Sequence, residues 1–104
     1  LIPGQIIKFT DIKNFKIPHM GWNSIKTSDK ILYNDLIDNN KFYFVHSYHF
    51  VPDDDKHILS KTEYSIDFVS SIRKKNIFGA QYHPEKSHKY GMKFFENFCK
   101  YTYE

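Results

Sequence analysis

The amino-acid sequence predicts an α/β fold, a mixed sheet with flanking helices, and three observations carry that expectation. The segment 41–50, KFYFVHSYHF, is dominated by Phe, Tyr and Val and is largely apolar on both faces, as in a strand covered from both sides. Further β-rich runs follow it, separated by turn signals, as far as Pro84. From about His88 the apolar period becomes helical. With 104 residues, 40% of them apolar and 26% charged, the chain has material for one modest core and no second domain.

The elements follow in order. Gln5 to Phe9 reads as a short strand after Pro3-Gly4, and Ile17 to Asn23, IPHMGWN, as a loop held by Pro18 and Gly21. Ser28 is placed to cap a short helix whose apolar positions are Leu32, Leu36 and Ile37, and Asn39-Asn40 stops it. In the strand at 41–50, alternation puts Phe42, Phe44, His46 and Tyr48 on one face and Tyr43, Val45, Ser47 and His49 on the other. Val51 to Lys56 is an exposed turn. Strands are expected at 58–64, 68–73 and 77–83, with Pro84 ending the last because it has no N–H for a ladder. Tyr90, Phe94, Phe98 and Tyr101 then form a helical stripe that Met92, Phe95 and Cys99 widen.

Several function classes are disfavoured by composition. No apolar run approaches the roughly 18 residues of a membrane span, and LIPGQIIKF lacks the regions of a signal peptide. The net charge of +3 is spread over 14 Lys and one Arg, too few guanidinium groups for a typical nucleic-acid reader. One cysteine, Cys99, can close no internal disulfide, which favours a cytoplasmic setting. The chain begins with Leu1 and not Met, directly in a strand-like segment, so it reads as a piece of something longer.

Six histidines invite a metal reading, which the spacing does not support. His46 and His49 are three apart on a strand and would face opposite sides, while His19, His57 and His88 are expected in loops or near element ends as surface residues. Asp53 to Asp55 lacks the ligand alternation of a calcium loop. Residues 79–87, GAQYHPEKS, differ. Pro84 biases His83 toward extended backbone, where side chains two apart point the same way, so Glu85 could orient the His83 imidazole and leave its second nitrogen free to take a proton. Spacing alone leaves open a structural histidine beside a surface glutamate. A nucleophile is missing: Cys99 falls on the expected buried stripe, Ser87 follows His83 too closely, and there is no Gly-x-Ser-x-Gly elbow.

The string GAQYHPEKS followed by YGMKFFENF resembles the C-terminal signature of the class I, triad-type glutamine amidotransferases, and IPHMGWN with YFVHSY narrows the likeness to the glutaminase subunits of imidazole glycerol phosphate synthases. LIPGQIIKF also fits the stretch that precedes these motifs in that family. The resemblance covers essentially the whole chain. It implies a flavodoxin-like α/β domain of which this chain is the C-terminal half, the nucleophile-bearing half being absent, and therefore a chain inactive alone. It implies a Cys-His-Glu triad that hydrolyses glutamine without a cofactor or metal and passes ammonia to a cyclase partner, the two forming a heterodimer in histidine biosynthesis. Carried over by motif, His83 would be the base, Glu85 its orienter, Ser47 and Tyr48 substrate-binding, and Trp22, Tyr43 and Lys86 near the partner interface and ammonia route. Two other readings share these strings: a paralogous glutaminase that feeds a surface-sugar amidotransferase, and a non-catalytic module that only binds a synthase.

Overall fold

A computed structural model of the chain describes residues 2–9 and 16–100. It contains strands β1 (Gly4–Lys8), β2 (His19–Asn23), β3 (Phe42–His46), β4 (Tyr48–Pro52), β5 (Ile58–Tyr64), β6 (Ile66–Lys74) and β7 (Ile77–Ala80), and helix α1 (His88–Lys100). Short 3-10 turns sit at Asp55–His57 and Pro84–Lys86. The ladders are antiparallel: β1 with β4, β2 with β3, and β5–β6–β7 in that order.

The expected strand at 41–50 is two strands with a break at Ser47. There the Phe9 N–H donates to the Ser47 carbonyl (2.9 Å), and the chain passes from pairing with β2 to pairing with β1. Alternation holds up to the break, with Phe42, Phe44 and His46 buried and Tyr43 and Val45 half-buried. Beyond it the parity is lost, and Tyr48, expected to share the buried face, is exposed.

Two other expectations are corrected. Residues 19–23 are not loop but strand β2, in register with β3 from His19↔His46 to Asn23↔Phe42. Gly21 lies inside that strand at φ +123°, a conformation that glycine tolerates, so the residue that looks like a breaker lets the ladder continue. The helix expected after Ser28 is a series of turns. Asp29, and not Ser28, caps it, its carboxylate accepting from the Leu32 N–H (2.8 Å). Asp35 at φ +66° then stops any helical run. Asn40 fastens the segment by donating to the carbonyls of Ile25 and Leu36 and accepting from the Ile25 N–H. The apolar spacing still gives the correct packing side, because Leu32 and Leu36 are buried.

The core is aromatic. Phe9, Phe42, Phe44, Phe68, Tyr82 and Phe94 pack with Tyr33, Ile25, Leu32 and Leu36, each large side chain contributing about 2–3 kcal/mol by leaving water. Tyr33 and Tyr82 carry hydroxyls into this core and bond to one another, and Tyr33 also reaches Ser71 (2.7 Å). Burial pushes the Tyr33 phenol up to about 12, so it serves as a neutral hydrogen-bonding group. Helix α1 begins as predicted, but only part of its stripe is covered: Phe94 is buried, whereas Met92, Phe95 and Phe98 are exposed. Cys99, expected to be buried, is exposed. Tyr101, the last member of the stripe, lies outside the described residues.

Candidate active site

The segment after β7 is built to hold His83 against β3. β7 stops at Ala80, three residues earlier than expected, and His83 instead forms an isolated antiparallel bridge with Tyr43, its N–H donating to the Tyr43 carbonyl (2.9 Å). Its backbone is extended at φ −105°, ψ +96°, as a residue before proline must be. Pro84 then opens the 3-10 turn at a position that needs no N–H.

Ser87 ties this turn down. Completely buried, it donates from Oγ to the His83 carbonyl (2.6 Å) and accepts from the Tyr43 N–H (3.0 Å). Its own carbonyl accepts from the Gly91 N–H (3.1 Å), and a Cβ at Gly91 would lie 1.8 Å from the Pro84 carbonyl oxygen. Only a residue without a side chain lets α1 approach the turn this closely. Ser87, which the sequence suggests only as a poorly placed nucleophile, has this positioning role instead; the signal for it is its place between His83-Pro84 and a helix carrying glycine in its first turn.

The paired side chains meet as the spacing predicts. His83 Nδ1 donates to Glu85 Oε2 at 3.1 Å. The carboxylate can only accept, so the proton sits on Nδ1 and Nε2 carries a lone pair. Glu85 is held below the usual carboxylate range, first by its own backbone N–H and then by His83. Both side chains reach solvent, at 37% and 57% exposure, and Nε2 has no hydrogen-bond partner among the described residues. A base with a fixed tautomer and an accessible lone pair is what general-base chemistry needs.

The remaining predicted residues fall into two groups. Trp22, Tyr43 and His83 lie in successive register across β2, β3 and the bridge, and Lys86 is exposed in the turn beside them. The Trp22 indole, 45% exposed, meets Tyr43 edge-on (6.0 Å between centroids) and stacks on His88 at the start of α1 (5.4 Å). Ser47 and Tyr48 sit at the other end of β3, on the break. Cys99 is in the last turn of α1, flanked by Phe98 and Lys100, and no Gly-x-Cys-x-Gly elbow occurs in the sequence.

Four of the five other histidines are not as expected. His19 and His57 are buried, not surface residues, and the break at Ser47 brings His46 and His49 to the same Phe9 ring (5.2 and 4.9 Å) although the strand pattern sets them on opposite faces. His88 is exposed, as expected. Among the described residues no group of three or more His, Cys, Asp or Glu is placed to hold a metal ion. Nor is any helix among them long and apolar enough to cross a membrane.

The geometry thus places a carboxylate-oriented histidine at a sharp turn between strand and helix. The chain belongs to the glutamine amidotransferase class-I family, whose model matches residues 4–101. It is 54% identical over 100 residues to the imidazole glycerol phosphate synthase subunit HisH 2 of Methanococcus maripaludis, covering 95% of this chain and 50% of that protein. With the imidazole glycerol phosphate synthase subunit HisH of Methanocaldococcus jannaschii it shares 52% identity over 101 residues, 96% of this chain and 50% of that protein. The chain thus spans about half the length of the curated relatives it matches. In three dimensions it is similar to the crystal structure of a Thermoplasma acidophilum protein assigned to GMP synthase, with a TM-score of 0.68 and 19% identity over 91% of this chain and 46% of that one. That likeness bears on the fold and supports the predicted α/β class.

Proposed function

We propose that the chain is the C-terminal half of the glutaminase subunit of an imidazole glycerol phosphate synthase, which releases ammonia from glutamine for a cyclase partner in histidine biosynthesis. The observation that carries this reading is the His83–Glu85 pair at 3.1 Å, within a chain 54% identical to a synthase subunit. In the complete protein the nucleophile is a cysteine from the half N-terminal to this segment. His83 Nε2 takes the thiol proton, and the thiolate attacks the carboxamide carbon of glutamine. The imidazolium returns the proton to the departing amine, ammonia leaves, and a thioester remains. Water, deprotonated by the same nitrogen, then cleaves the thioester to glutamate and free thiol, and Glu85 holds the ring throughout.

Ser47 and Tyr48 line the glutamine site in this reading, and Trp22, Tyr43 and Lys86 face the partner along the ammonia route. Free ammonia is protonated in water, which gives a physical reason for aromatic residues beside the site at a subunit contact. The test uses the complete protein with its synthase. His83→Ala is expected to abolish glutamine-dependent product formation while synthesis from added ammonium salts continues. Unchanged glutamine-dependent rates would remove His83 as the base. A coding region that lacks a Gly-x-Cys-x-Gly segment upstream of Leu1 would sink the enzyme reading for this gene.

A further inference from the structure

Beside the break at Ser47 lies a pair of imidazoles to which neither the sequence nor the proposed chemistry gives a task. His19 on β2 and His46 on β3 are directly opposite in register, and their rings meet at 2.9 Å, Nδ1 of His19 to Nε2 of His46. Both residues are buried, at 2% and 8% exposure. The proton on each nitrogen follows from the partners. His46 Nδ1 lies 2.9 Å from the Tyr48 carbonyl, which can only accept, so that nitrogen donates and Nε2 of the neutral ring accepts. His19 Nδ1 must then be the donor to it, which leaves His19 Nε2 to accept from the Asn23 amide at 3.4 Å. The second hydrogen of that amide goes to the Glu63 carbonyl on β5 (2.9 Å). Every donor in this chain of bonds finds an acceptor.

We propose that His19 and His46 form a directed imidazole chain, both rings in the Nδ1–H tautomer, that fixes the Ser47–Tyr48 bend and so positions the segment that binds glutamine. The part about glutamine rests on the glutaminase reading above. At the break the carbonyl of Ser47 is held by the Phe9 N–H and that of Tyr48 by His46, so neither backbone group is free to rotate. The relay anchors β4 to β2 and β5 across β3. Packing fixes the orientation of the rings, which meet at 67°: His19 stacks on Phe44 (4.8 Å) and Tyr64 (3.9 Å), and His46 lies against Phe9 and Phe68. Burial above all favours the neutral form of both rings, and the charges bearing on them are imidazole ones, that of His46 on His19 and those of His49 and His83 on His46, while the bond to the Tyr48 carbonyl acts the other way on His46. A proton added to His46 Nε2 would turn the acceptor into a donor and break the chain.

The Nδ1–H form is the minor tautomer of free imidazole side chains in water, so finding it twice is a demanding expectation. Long-range nitrogen–proton correlation spectra of the complete, nitrogen-15-labelled protein at pH 7 should assign both rings to it. An Nε2–H tautomer at either ring would overturn the chain, and this measurement needs no variant. Kinetics of the complete protein with its synthase test the positioning. His46→Phe keeps a ring among Phe9, Phe44 and Phe68 but removes both hydrogen bonds, and should raise the KM for glutamine about ten-fold, with kcat changed by less than about three-fold. His46→Asn, whose amide nitrogen lies near the Nδ1 position, should recover most of that loss, which a role in packing alone would not predict. An unaltered KM in His46→Phe would overturn the positioning role. If the unaltered protein turns over no glutamine, the glutaminase reading falls and with it the link to substrate, while the tautomers still decide the chain.

Discussion

The molecule contains two hydrogen-bonded pairs built on histidine, His83–Glu85 and His19–His46, that differ in almost every physical respect. His83 and Glu85 are two residues apart, half in solvent, and leave one imidazole nitrogen open. His19 and His46 are 27 residues apart, buried, and leave no ring nitrogen unused. The same side chain is thereby made available for proton transfer in one place and withdrawn from it in the other. Solvent access and the number of fixed partners make the difference.

The contrast can be broken from either side. The largest effect is expected from Glu85→Gln in the complete protein: the ring loses its charged orienter, and glutamine turnover should fall on the order of 10²- to 10⁴-fold, measured against an unchanged rate with ammonium. A rate within two-fold or so of the unaltered protein would show that Glu85 does not set the tautomer of His83. Next comes His19→Ala, which empties a stacked, buried site and strands the acceptor on His46. It should cost roughly 2–4 kcal/mol in chemical denaturation. A loss below about 1 kcal/mol would mean that the buried pair is dispensable.

The third effect depends on pH. In the folded protein the His19 pKa is lowered to about 4, chiefly by burial and then by the neighbouring His46, against 6.5 unfolded, and burial lowers His46 too. Stability from these neutral rings is therefore complete above about pH 6.5. Below that the unfolded chain takes up a proton that folded His19 refuses, and stability falls through the window down to about pH 4, by up to about 1.4 kcal/mol per pH unit for this ring, His46 adding to the decline in the same direction. Urea midpoints measured across this range should show the decline, and His19→Phe should flatten it. The smallest effect is that of His83→Ala on folding, which should lie within about 0.5 kcal/mol because the ring is partly exposed. A larger change would place His83 in the core's support and blur the contrast.

Legibility in the sequence follows the same divide. The exposed pair is readable because it is local: Pro84 fixes the backbone before it, and i, i+2 geometry does the rest. The buried pair is hidden because it requires the register of β2 on β3, and β2 itself reads as a loop from Pro18 and Gly21. Ser47 adds a second obstacle. Nothing in its residue type announces a break in a run so rich in Phe and Tyr, and the cause is a tertiary bond to Phe9. The segment after Ser28 misleads for another reason. Its apolar spacing is helical, but Asn34, Asp35, Asp38, Asn39 and Asn40 are weak helix formers, and Asn40 bonds to nearby backbone instead. Packing sides are thus better predicted than backbone forms, since burial of Leu32 and Leu36 needs only the period and not the helix.

The stacking of Trp22 on His88 has one more consequence. Trp22 is the sole tryptophan in the sequence, and its indole touches β3 through Tyr43 and the first residue of α1 through His88. Its fluorescence is therefore a built-in optical gauge of one local event, the seating of α1 on the strands. Emission will follow that seating without any added dye, and an observer can time it separately from the collapse of the aromatic core.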